Sequence, residues 1–372
     1  MLIIFSGFNQ RAVIAILRNL KKNKIEEYRI IACGKNDPII NTAYSEKIFY
    51  IRNHQELVKT ELYPVMKKIV DVSGSKKVII VPSTEYLNRF IVENRDEIEN
   101  LGVTIPLVDN EMYSKISDKR SFYELCKENG LKVPKIVSLS KEYRYRYVAK
   151  PVKYISQSNQ RLIPLIVDSE EKHLDFLQNY NQSDFDIQEY VDGESIYLLY
   201  YLSKTGGNYS FSQRNLVQQP FGKSMVVSIA WNTHKENIAN EYIDLFRQMG
   251  FYGFIMVELR KKNGEYYMIE ANPRMWGPSQ LYVDAGVPFI EAFLVDYGEM
   301  DKIPDYAITD NTTYFWSGGI QNALMEDSDC VWLEGGKEIV QQNYSRIINS
   351  DIYNRQDTIE IYKNERTSWE EK

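Results

Sequence analysis

The sequence predicts a mixed fold, α/β over its first hundred residues and α+β with antiparallel hairpins further on. Two observations support this prediction. Strands alternate with helices up to about residue 108, a pattern typical of a parallel, doubly wound sheet. Beyond residue 118, apolar runs are joined by glycine-containing turns, which favours hairpins. The 372 residues allow two or three packed units rather than a single core.

The first part begins with a buried strand at residues 2–5, and Ser6-Gly7 leads into a helix over residues 11–19. Further strands are predicted at residues 28–33, 47–51 and 78–81. The turn after the first strand lacks the G-x-G-x-x-G spacing, so a scaffold or substrate role fits it better than dinucleotide binding. Residues 82–89 follow a parallel strand, where such sheets usually contact ligands. We therefore expect them, together with residues 276–282, to govern substrate choice.

The second part begins with an amphipathic helix at residues 119–129, ended by Gly130. Strands are predicted at 147–151, 185–190, 195–202 and 209–213, and a helix at 236–249. Residues 301–372 carry weaker signals and are expected to form an appended α+β region with a charged end.

The most informative segment is residues 252–275. Apolar runs at 254–259 and 266–269 flank a Lys-Lys-Asn-Gly turn, which predicts a hairpin. Glu258 lies on its first strand, and Glu270, Asn272 and Arg274 alternate along the second, so these three can share one face. Two carboxylates and an amide oxygen form an all-oxygen site that suits Mg2+. The alternative is that both carboxylates are solvated and paired with the lysines of the turn.

Composition excludes several function classes. The net charge of −6 argues against a general nucleic-acid surface. Cys33, Cys126 and Cys330 show neither metal-ligand nor disulfide spacing, so we predict reduced thiols in a cytoplasmic protein. No run of the sequence is long enough to span a bilayer, and the amino-terminal apolar run has no charged leader. We therefore expect neither nucleic-acid nor membrane partners.

With these pieces in order, the chain resembles the ATP-grasp superfamily. The motifs are Asp118-Lys119, Val148-Ala149-Lys150-Pro151, Gln188-Glu189-Tyr190-Val191 with Glu194, and the hairpin. The resemblance runs over residues 2–298 and is densest at 118–274. It implies a Rossmann-like pre-ATP-grasp domain at 1–108, followed by a two-lobed ATP-grasp domain with antiparallel sheets. The lobes are expected at 109–187 and 188–300, with the metal site in the second, and the appended region at 301–372.

The resemblance also implies roles for single residues. Lys119 and Lys150 would reach the nucleotide phosphates, and Arg274 would steady the transferring phosphoryl group. Residues 188–191 would form the hinge, where the backbone of Glu189 and Val191 contacts adenine. Glu194 would contact the ribose, and Met268 would lie under adenine. Glu258, Glu270 and Asn272 would bind Mg2+, with Mn2+ as the alternative metal.

Two segments call for separate interpretation. The loop at 151–160 contains no glycine, although many family members cover the phosphates with a glycine-rich loop at this place. Lys153 and the polar residues 156–160 could supply replacement donors, or the loop closes less readily and activity is weak. Arg214 and Lys223 resemble an acceptor region, where Arg214 could hold a substrate carboxylate. The alternative for these two residues is a solvated basic pair on a mobile loop.

The function implied by the resemblance is that of an ATP- and Mg2+-dependent ligase. It would activate a small-molecule carboxylate as an acyl-phosphate and join it to an amine or similar nucleophile. One alternative is a subunit that forms carboxy- or carbamoyl-phosphate. Another is a nucleotide-binding scaffold or regulatory protein without turnover, which the glycine-free loop favours. A homodimer is the commonest assembly for such soluble proteins and is a further prediction.

Overall fold

The protein was analysed as a computed structural model, which describes residues 1–74, 76–152 and 162–370. The fold class predicted from the sequence is confirmed: a parallel sheet at the amino terminus is followed by two antiparallel sheets. The residues predicted to replace the glycine-rich loop, Lys153 and 156–160, lie outside the described residues. Within the described part of the chain, no helix is long and apolar enough to cross a membrane.

The leading part is a five-stranded parallel sheet with helices on both faces. Its elements are β1 (Leu2–Phe5), α1 (Gln10–Lys22), β2 (Tyr28–Ala32), β3 (Ile48–Ile51), α2 (Lys59–Val72), β4 (Val78–Ile80), α3 (Glu85–Glu93), α4 (Arg95–Asn100) and β5 (Val103–Thr104). The strand order is β3-β2-β1-β4-β5. The central strands β1 and β4 are fully buried, which explains why β1 is an uninterrupted apolar run rather than an alternating one. The chain order reverses between β1 and β4, so a crevice opens where these two strands end.

A small antiparallel sheet comes next. The elements are α5 (Asn110–Ser117), α6 (Lys119–Glu128), β6 (Tyr147–Pro151), β7 (Leu165–Val167), α7 (Glu170–Asn179) and β8 (Phe185–Glu189). The sheet order is β7-β6-β8. One face carries Tyr147 and Ala149, which pack against Phe176 of α7 in a separate apolar cluster. The other face, with Lys150, is turned to the large sheet.

The large sheet comes next, together with the helices that follow its strands. The elements are β9 (Glu194–Leu202), β10 (Asn208–Gln218), β11 (Met225–Trp231), α8 (Asn237–Gln248), β12 (Gly253–Lys262), β13 (Glu265–Asn272), α9 (Ser279–Asp284) and α10 (Phe289–Asp296). Alternate residues of β9 enter two different cores. Tyr197 and Leu199 pack with the leading domain and α9–α10, whereas Ile196 and Leu198 pack with α6 and α8. The large sheet therefore has an apolar layer on each face, and Glu258, Glu270 and Asn272 reach a cleft near one end of its strands.

The carboxy-terminal region completes the large sheet. Its elements are β14 (Thr313–Phe315), α11 (Ser317–Met325), β15 (Val331–Trp332), α12 (Gly336–Gln342), α13 (Tyr344–Asn349) and α14 (Ile359–Glu370). β14 pairs with β11 and β15 pairs with β10, both antiparallel. Asp357 accepts hydrogen bonds from Arg18 at 2.8 Å and from the Tyr44 hydroxyl at 2.7 Å. The appended region is thus joined both to the sheet and to the leading domain.

Candidate functional site

The predicted hairpin is formed by β12 and β13, both longer than the predicted runs. Its turn residues Asn263 and Gly264 have φ of 52° and 80°, which asparagine and glycine tolerate and which match the twist of a two-residue hairpin turn. Glu258 lies directly opposite Glu270, and Met256 lies opposite Asn272. Because paired residues share a face, both carboxylates and the Asn272 amide point into one cleft.

A β-bulge interrupts the hairpin directly beside this pair. Glu258 is opposite Glu270, but the next residue, Leu259, is opposite Met268, so Ile269 is the extra residue. The bulge reverses the alternation, and Met268 consequently enters the apolar cluster on the other face, where it is 1% exposed. The structure therefore does not bring Met268, predicted to lie under adenine, into the cleft.

Two lysines from the preceding segments reach the carboxylates. Lys119 is the first residue of α6, whose N-cap Asp118 accepts from the Ser121 amide, and its Nζ lies 3.3 Å from Glu270 Oε2. Lys150 of β6 donates from Nζ to the Ile269 carbonyl at 2.9 Å, at the bulge. The small sheet and the large sheet thus meet where two cations face two carboxylates.

The two glutamates have different electrostatic environments. Burial raises the pKa of Glu258 to about 6, an effect that nearby Arg260 only partly opposes. Burial also raises the pKa of Glu270, but the charge of Lys119, the Asn272 hydrogen bond and the charges of Lys150 and Arg274 outweigh it, and the pKa falls to about 2. Burial, together with the charge of Lys119, lowers the pKa of Lys150 to about 8. Near neutral pH, Glu270 is therefore a carboxylate and Lys150 is largely a cation.

Arg274 continues the same row of side chains beyond the end of β13. Its Nη2 donates to Asn272 Oδ1 at 3.2 Å, and Asn272 Nδ2 donates to Glu270 Oε1 at 2.9 Å. The Arg274 Nε lies 3.8 Å from Glu85 of the leading domain. This chain of contacts fixes the Asn272 amide and links the hairpin to the leading domain.

The donor set fits a hard divalent cation. In the described part of the chain, no three His, Cys, Asp or Glu residues are grouped closely enough to hold a metal ion. The cleft instead offers Glu258, Glu270 and the Asn272 amide, an oxygen-only set that leaves positions for water and phosphate oxygens. This partial protein coordination is typical of Mg2+ bound together with a phosphate ligand.

The predicted hinge connects β8 to β9. The Glu189 amide already donates to the Lys135 carbonyl at 2.9 Å, and the Tyr190 amide donates to the Arg146 carbonyl at 3.2 Å. The Val191 amide has no hydrogen bond to another described residue. Gln188 is buried beside Lys119 and Lys150, and its Oε1 has no partner among the described residues. Of the predicted backbone contacts, the Val191 N–H is thus the donor still available to a ligand.

Glu194 and Arg214 are brought together with each other rather than with the carboxylates of the cleft. Arg214 Nη1 lies 2.9 Å from Glu194 Oε1, and Arg214 Nη2 donates to the Glu334 carbonyl at 3.0 Å. Arg214 is opposite Ile196 of β9, whose side chain is on the sheet face away from Glu258. The strand alternation of β9 and β10 accounts for this separation.

A second cavity of about 890 Å³ lies between the small sheet and the far end of β12. Arg260 lines it, two residues beyond Glu258 on the same face, with its Nη2 3.6 Å from Glu258 Oε1. Tyr190 of the hinge and Trp332 of the carboxy-terminal region also line it. Sequence reasoning placed Tyr190 in the hinge motif but missed Arg260 and Trp332, although the period-2 spacing of Arg260 from Glu258 was a usable signal.

The carboxylates open into a cleft of about 660 Å³ shared with the leading domain. Thr84 and Glu85, from the segment expected to govern substrate choice, line it, and so does Trp276. Tyr197 on β9 also lines it, and burial keeps the Tyr197 pKa well above its usual value, so the phenol stays protonated. Sequence reasoning missed Tyr197 and Arg11, whereas Phe8 and Asn9 at the opposite wall belong to the turn for which it favoured a scaffold or substrate role.

Comparison with known proteins agrees with this architecture. Residues 116–278 match the family described as ATP-grasp domain. A search of curated proteins gives no match. The fold is similar to that of N5-carboxyaminoimidazole synthetase from Staphylococcus aureus, with a TM-score of 0.62 and 12% identity, covering 93% of this chain and 97% of that one. The family match thus covers residues 116–278, and over the rest of the chain the similarity is one of fold.

Two further solved structures are similar. One is the biotin carboxylase domain of the Hydrogenobacter thermophilus 2-oxoglutarate carboxylase in complex with MgADP, ADP and bicarbonate. Its TM-score is 0.58 at 15% identity, covering 84% of this chain and 73% of that one. The other is an ADP complex of N5-carboxyaminoimidazole ribonucleotide synthetase, with a TM-score of 0.58 and 14% identity over 84% of this chain and 79% of that one. At these sequence identities, the similarity to the two structures is one of fold.

Proposed function

We propose that this protein is an ATP- and Mg2+-dependent ligase that activates a carboxylate as an acyl-phosphate and joins it to an amine or similar nucleophile. The observation that carries the proposal is the cross-strand pair Glu258 and Glu270, reached by Lys119 and Lys150 from the small sheet. Oppositely charged groups arranged across an interlobe cleft suit a polyphosphate with its metal. The name of the matching family and the MgADP complex of a structural neighbour support the same nucleotide.

Each residue has a definite role in this proposal. Glu258, Glu270 and Asn272 hold Mg2+, which when bound offsets the phosphate charge that builds during transfer. Lys119 and Lys150 contact phosphate oxygens, and the Val191 amide donates to the base. Arg274, fixed by Asn272, stabilises the transferring phosphoryl group or the acyl-phosphate, as a planar guanidinium suits both. Gln188, buried at the small-sheet side, contributes an unpartnered oxygen near the same cleft.

The reaction needs no covalent nucleophile from the protein. The substrate carboxylate oxygen attacks the γ-phosphorus, and the bond to the β-phosphate oxygen breaks, releasing ADP. The amine then attacks the acyl carbon, and phosphate leaves. The residues of this chain hold the reactants close and exclude water, and the fixed cations provide an electrostatic field that favours transfer.

Other roles follow from the geometry. Glu194, held by Arg214, is proposed to position the start of β9 after the hinge rather than to accept hydrogen bonds from the ribose hydroxyls. The chain divides, in this proposal, at residues 108, 187 and 300 as the resemblance implies.

The three cysteines are free, which together with ATP use supports a cytoplasmic location. A homodimer is also proposed, and sedimentation of the purified protein tests it.

The test is release of ADP and phosphate from ATP and Mg2+ across pooled amino acids, small carboxylates and bicarbonate, with Glu270→Gln alongside. A matched control is Glu265→Gln, on the same strand but exposed and ion-paired with Lys132 outside the cleft. Release that depends on one pool, disappears in Glu270→Gln and persists in Glu265→Gln supports a ligase. Release with bicarbonate and no other acid indicates a carboxyphosphate-forming enzyme. Nucleotide binding without release from any pool indicates a scaffold.

A further inference from the structure

The cleft that contains the carboxylates has a second wall formed by the leading domain. We call it the leading-domain wall, and it consists of Phe8, Asn9, Arg11, Thr84, Glu85 and Tyr86. These residues follow β1 and β4, the two neighbouring strands between which the order of the parallel sheet reverses. The crevice outside the carboxyl ends of such strands is where doubly wound sheets bind ligands. Asn9 joins the half of the wall that follows β1 to the half that follows β4, because Asn9 Nδ2 donates to the Ser83 carbonyl at 3.2 Å.

Arg11 is held rigidly in this wall. Its Nη2 donates to Ser224 Oγ at 2.7 Å, and its Nη1 lies 3.2 Å from both the Met225 carbonyl and the Tyr314 hydroxyl. The guanidinium lies 3.9 Å from the centre of the Trp316 ring. A Cβ at position 277, now glycine, would lie 2.9 Å from Arg11 Nη2. The guanidinium is therefore fixed by four neighbours, all of them uncharged.

Arg11 has no carboxylate within ion-pair distance among the described residues. The other charges along the cleft are better compensated. Lys223 is 2.6 Å from Glu326, and Glu85 is 2.8 Å from Arg89 and 3.8 Å from Arg274. At the opposite end, Glu270 faces Lys119. Arg11 thus forms no ion pair among the described residues, although Glu365, behind the Trp316 ring, interacts with its charge electrostatically.

The start of α1 adds to the positive potential at the same place. Its N-cap Asn9 makes no side-chain cap bond, and its first turn contains no acidic residue. The amides of Gln10, Arg11 and Ala12 have no hydrogen-bond partner among the described residues. By contrast, the start of α3 on the other half of the wall is capped by Thr84 and followed by Glu85. Since helix amino termini favour anions, the two halves differ in sign, and α1 with Arg11 is the anion side.

We propose that the substrate carries an anionic group, separate from the carboxylate that is activated, which binds at Arg11 and the first turn of α1. The inference rests on the proposed function, because the other end of this substrate must reach Arg274 and the metal carboxylates across the cleft. A carboxylate and a phosphate both suit a fixed guanidinium flanked by free amides. The substrate class is accordingly a small dianionic acid, either a dicarboxylate or a phosphorylated carboxylic acid.

The experiment measures binding of two probes, succinate and inorganic phosphate, by calorimetry at constant ionic strength. Binding is measured on the protein alone and again with a saturating non-hydrolysable ATP analogue and Mg2+, which occupies the nucleotide phosphate positions. The variants are Arg11→Gln, Gly277→Ala, which keeps the arginine but displaces its guanidinium, and Arg29→Gln as a control on β2 outside the cleft. Circular dichroism checks that each variant folds. If Arg11→Gln does not fold, Gly277→Ala tests the role of the guanidinium instead.

We expect at least one probe to bind wild type and Arg29→Gln equally, and Arg11→Gln and Gly277→Ala at least about tenfold more weakly, since charge-assisted hydrogen bonds are lost. If only succinate binding depends on Arg11, the anionic group of the substrate is a carboxylate. If only phosphate binding depends on Arg11, the group is a phosphate. No binding of either probe to wild type, or equal binding to Arg11→Gln, overturns the proposal. Failure of the ATP analogue to bind contradicts the proposed function instead, and Arg11-dependent probe binding to the protein alone still supports the subsite.

Discussion

The two ends of the 660 Å³ cleft differ in how their charges are balanced. At the metal end, two carboxylates of the large sheet are faced by Lys119 and Lys150, and the Asn272 amide is fixed by Arg274. At the leading-domain wall, the hydrogen bonds and ring contact of Arg11 are all with uncharged groups. In our proposal, one end binds a cation with phosphates, and the other binds an anionic group of the substrate.

The largest effect is expected at the metal end. Glu270→Gln keeps the size of the side chain but removes the charge that holds the metal, so ligase turnover should fall on the order of 10³-fold. Steady-state release of ADP measures it, and circular dichroism checks that the variant folds. Glu265→Gln, exposed on the same strand, should retain full turnover. Equal turnover in Glu270→Gln and wild type would place the metal elsewhere.

Met268 tests whether the bulge separates the metal end from the core. Met268→Ala leaves a cavity in the apolar cluster and should lower the free energy of unfolding by about 3 kcal/mol. Nucleotide affinity should stay within about twofold of wild type, because a buried side chain on the other sheet face makes no ligand contact. Urea denaturation and calorimetry measure the two quantities. The volume-conserving Met268→Leu should be nearly neutral for both.

A strong loss of nucleotide affinity in Met268→Ala, with unchanged stability, would contradict the assignment of this residue to the core. It would instead favour the sequence-based prediction that Met268 lies under adenine.

A smaller change at the leading-domain wall sharpens the contrast in charge. Asn9→Asp places a carboxylate at the start of α1, where it can cap the helix and occupy the anion side. Phosphate affinity should fall by about three- to tenfold through like-charge repulsion, whereas MgADP affinity should be unchanged. Calorimetry with both ligands measures this. An equal loss of phosphate affinity and MgADP affinity would mean that the two ends of the cleft do not bind their ligands independently.

The smallest effect concerns Glu365, behind the same wall, whose Oε1 accepts from Trp316 Nε1 at 3.2 Å. Burial raises the pKa of Glu365 to about 7. Between the ordinary glutamate value and about 7, the folded state therefore binds more protons than the unfolded state, so this group lowers stability as pH rises through that window. Glu365→Gln should remove the loss and leave the protein about 1–2 kcal/mol more stable than wild type at pH 8, but not at pH 4.

Denaturation curves at the two pH values test this prediction. A variant that is less stable than wild type at pH 8 would show that the carboxylate of Glu365 is stabilised by its neighbours, Arg11 among them.

The convergence of the two carboxylates and the Asn272 amide was predictable because these residues are close in the chain. Glu258, Glu270 and Asn272 lie on two strands joined by an Asn-Gly turn, so strand alternation alone brings them together. The resemblance implied that Met268 lies under adenine, but the extra residue Ile269 places its side chain in the apolar cluster on the other face, and no sequence pattern marks that bulge. The sheet face on which Arg214 lies could not be predicted for a different reason. It follows from the register of β10 against β9, and the register between separate strands is a tertiary property.

The leading-domain wall was only partly predictable. Parallel-strand ends pointed to Thr84 and Glu85, but the position of Arg11 depends on Ser224, Gly277, Tyr314 and Trp316, which come from distant parts of the chain. Trp332 reaches the second cavity only because β15 pairs with β10. Packing of the carboxy-terminal region therefore determines features that composition and periodicity do not encode.

The most direct test of the central claim is the Mg2+ dependence of ADP binding, measured by calorimetry with Mg2+ and with a chelator. Wild type and Glu265→Gln should bind ADP more tightly when Mg2+ is present. Glu270→Gln should lose this gain and still bind metal-free ADP through Lys119 and Lys150. The same Mg2+ gain in Glu270→Gln as in wild type would contradict the assignment of the Glu258–Glu270 pair as the metal site.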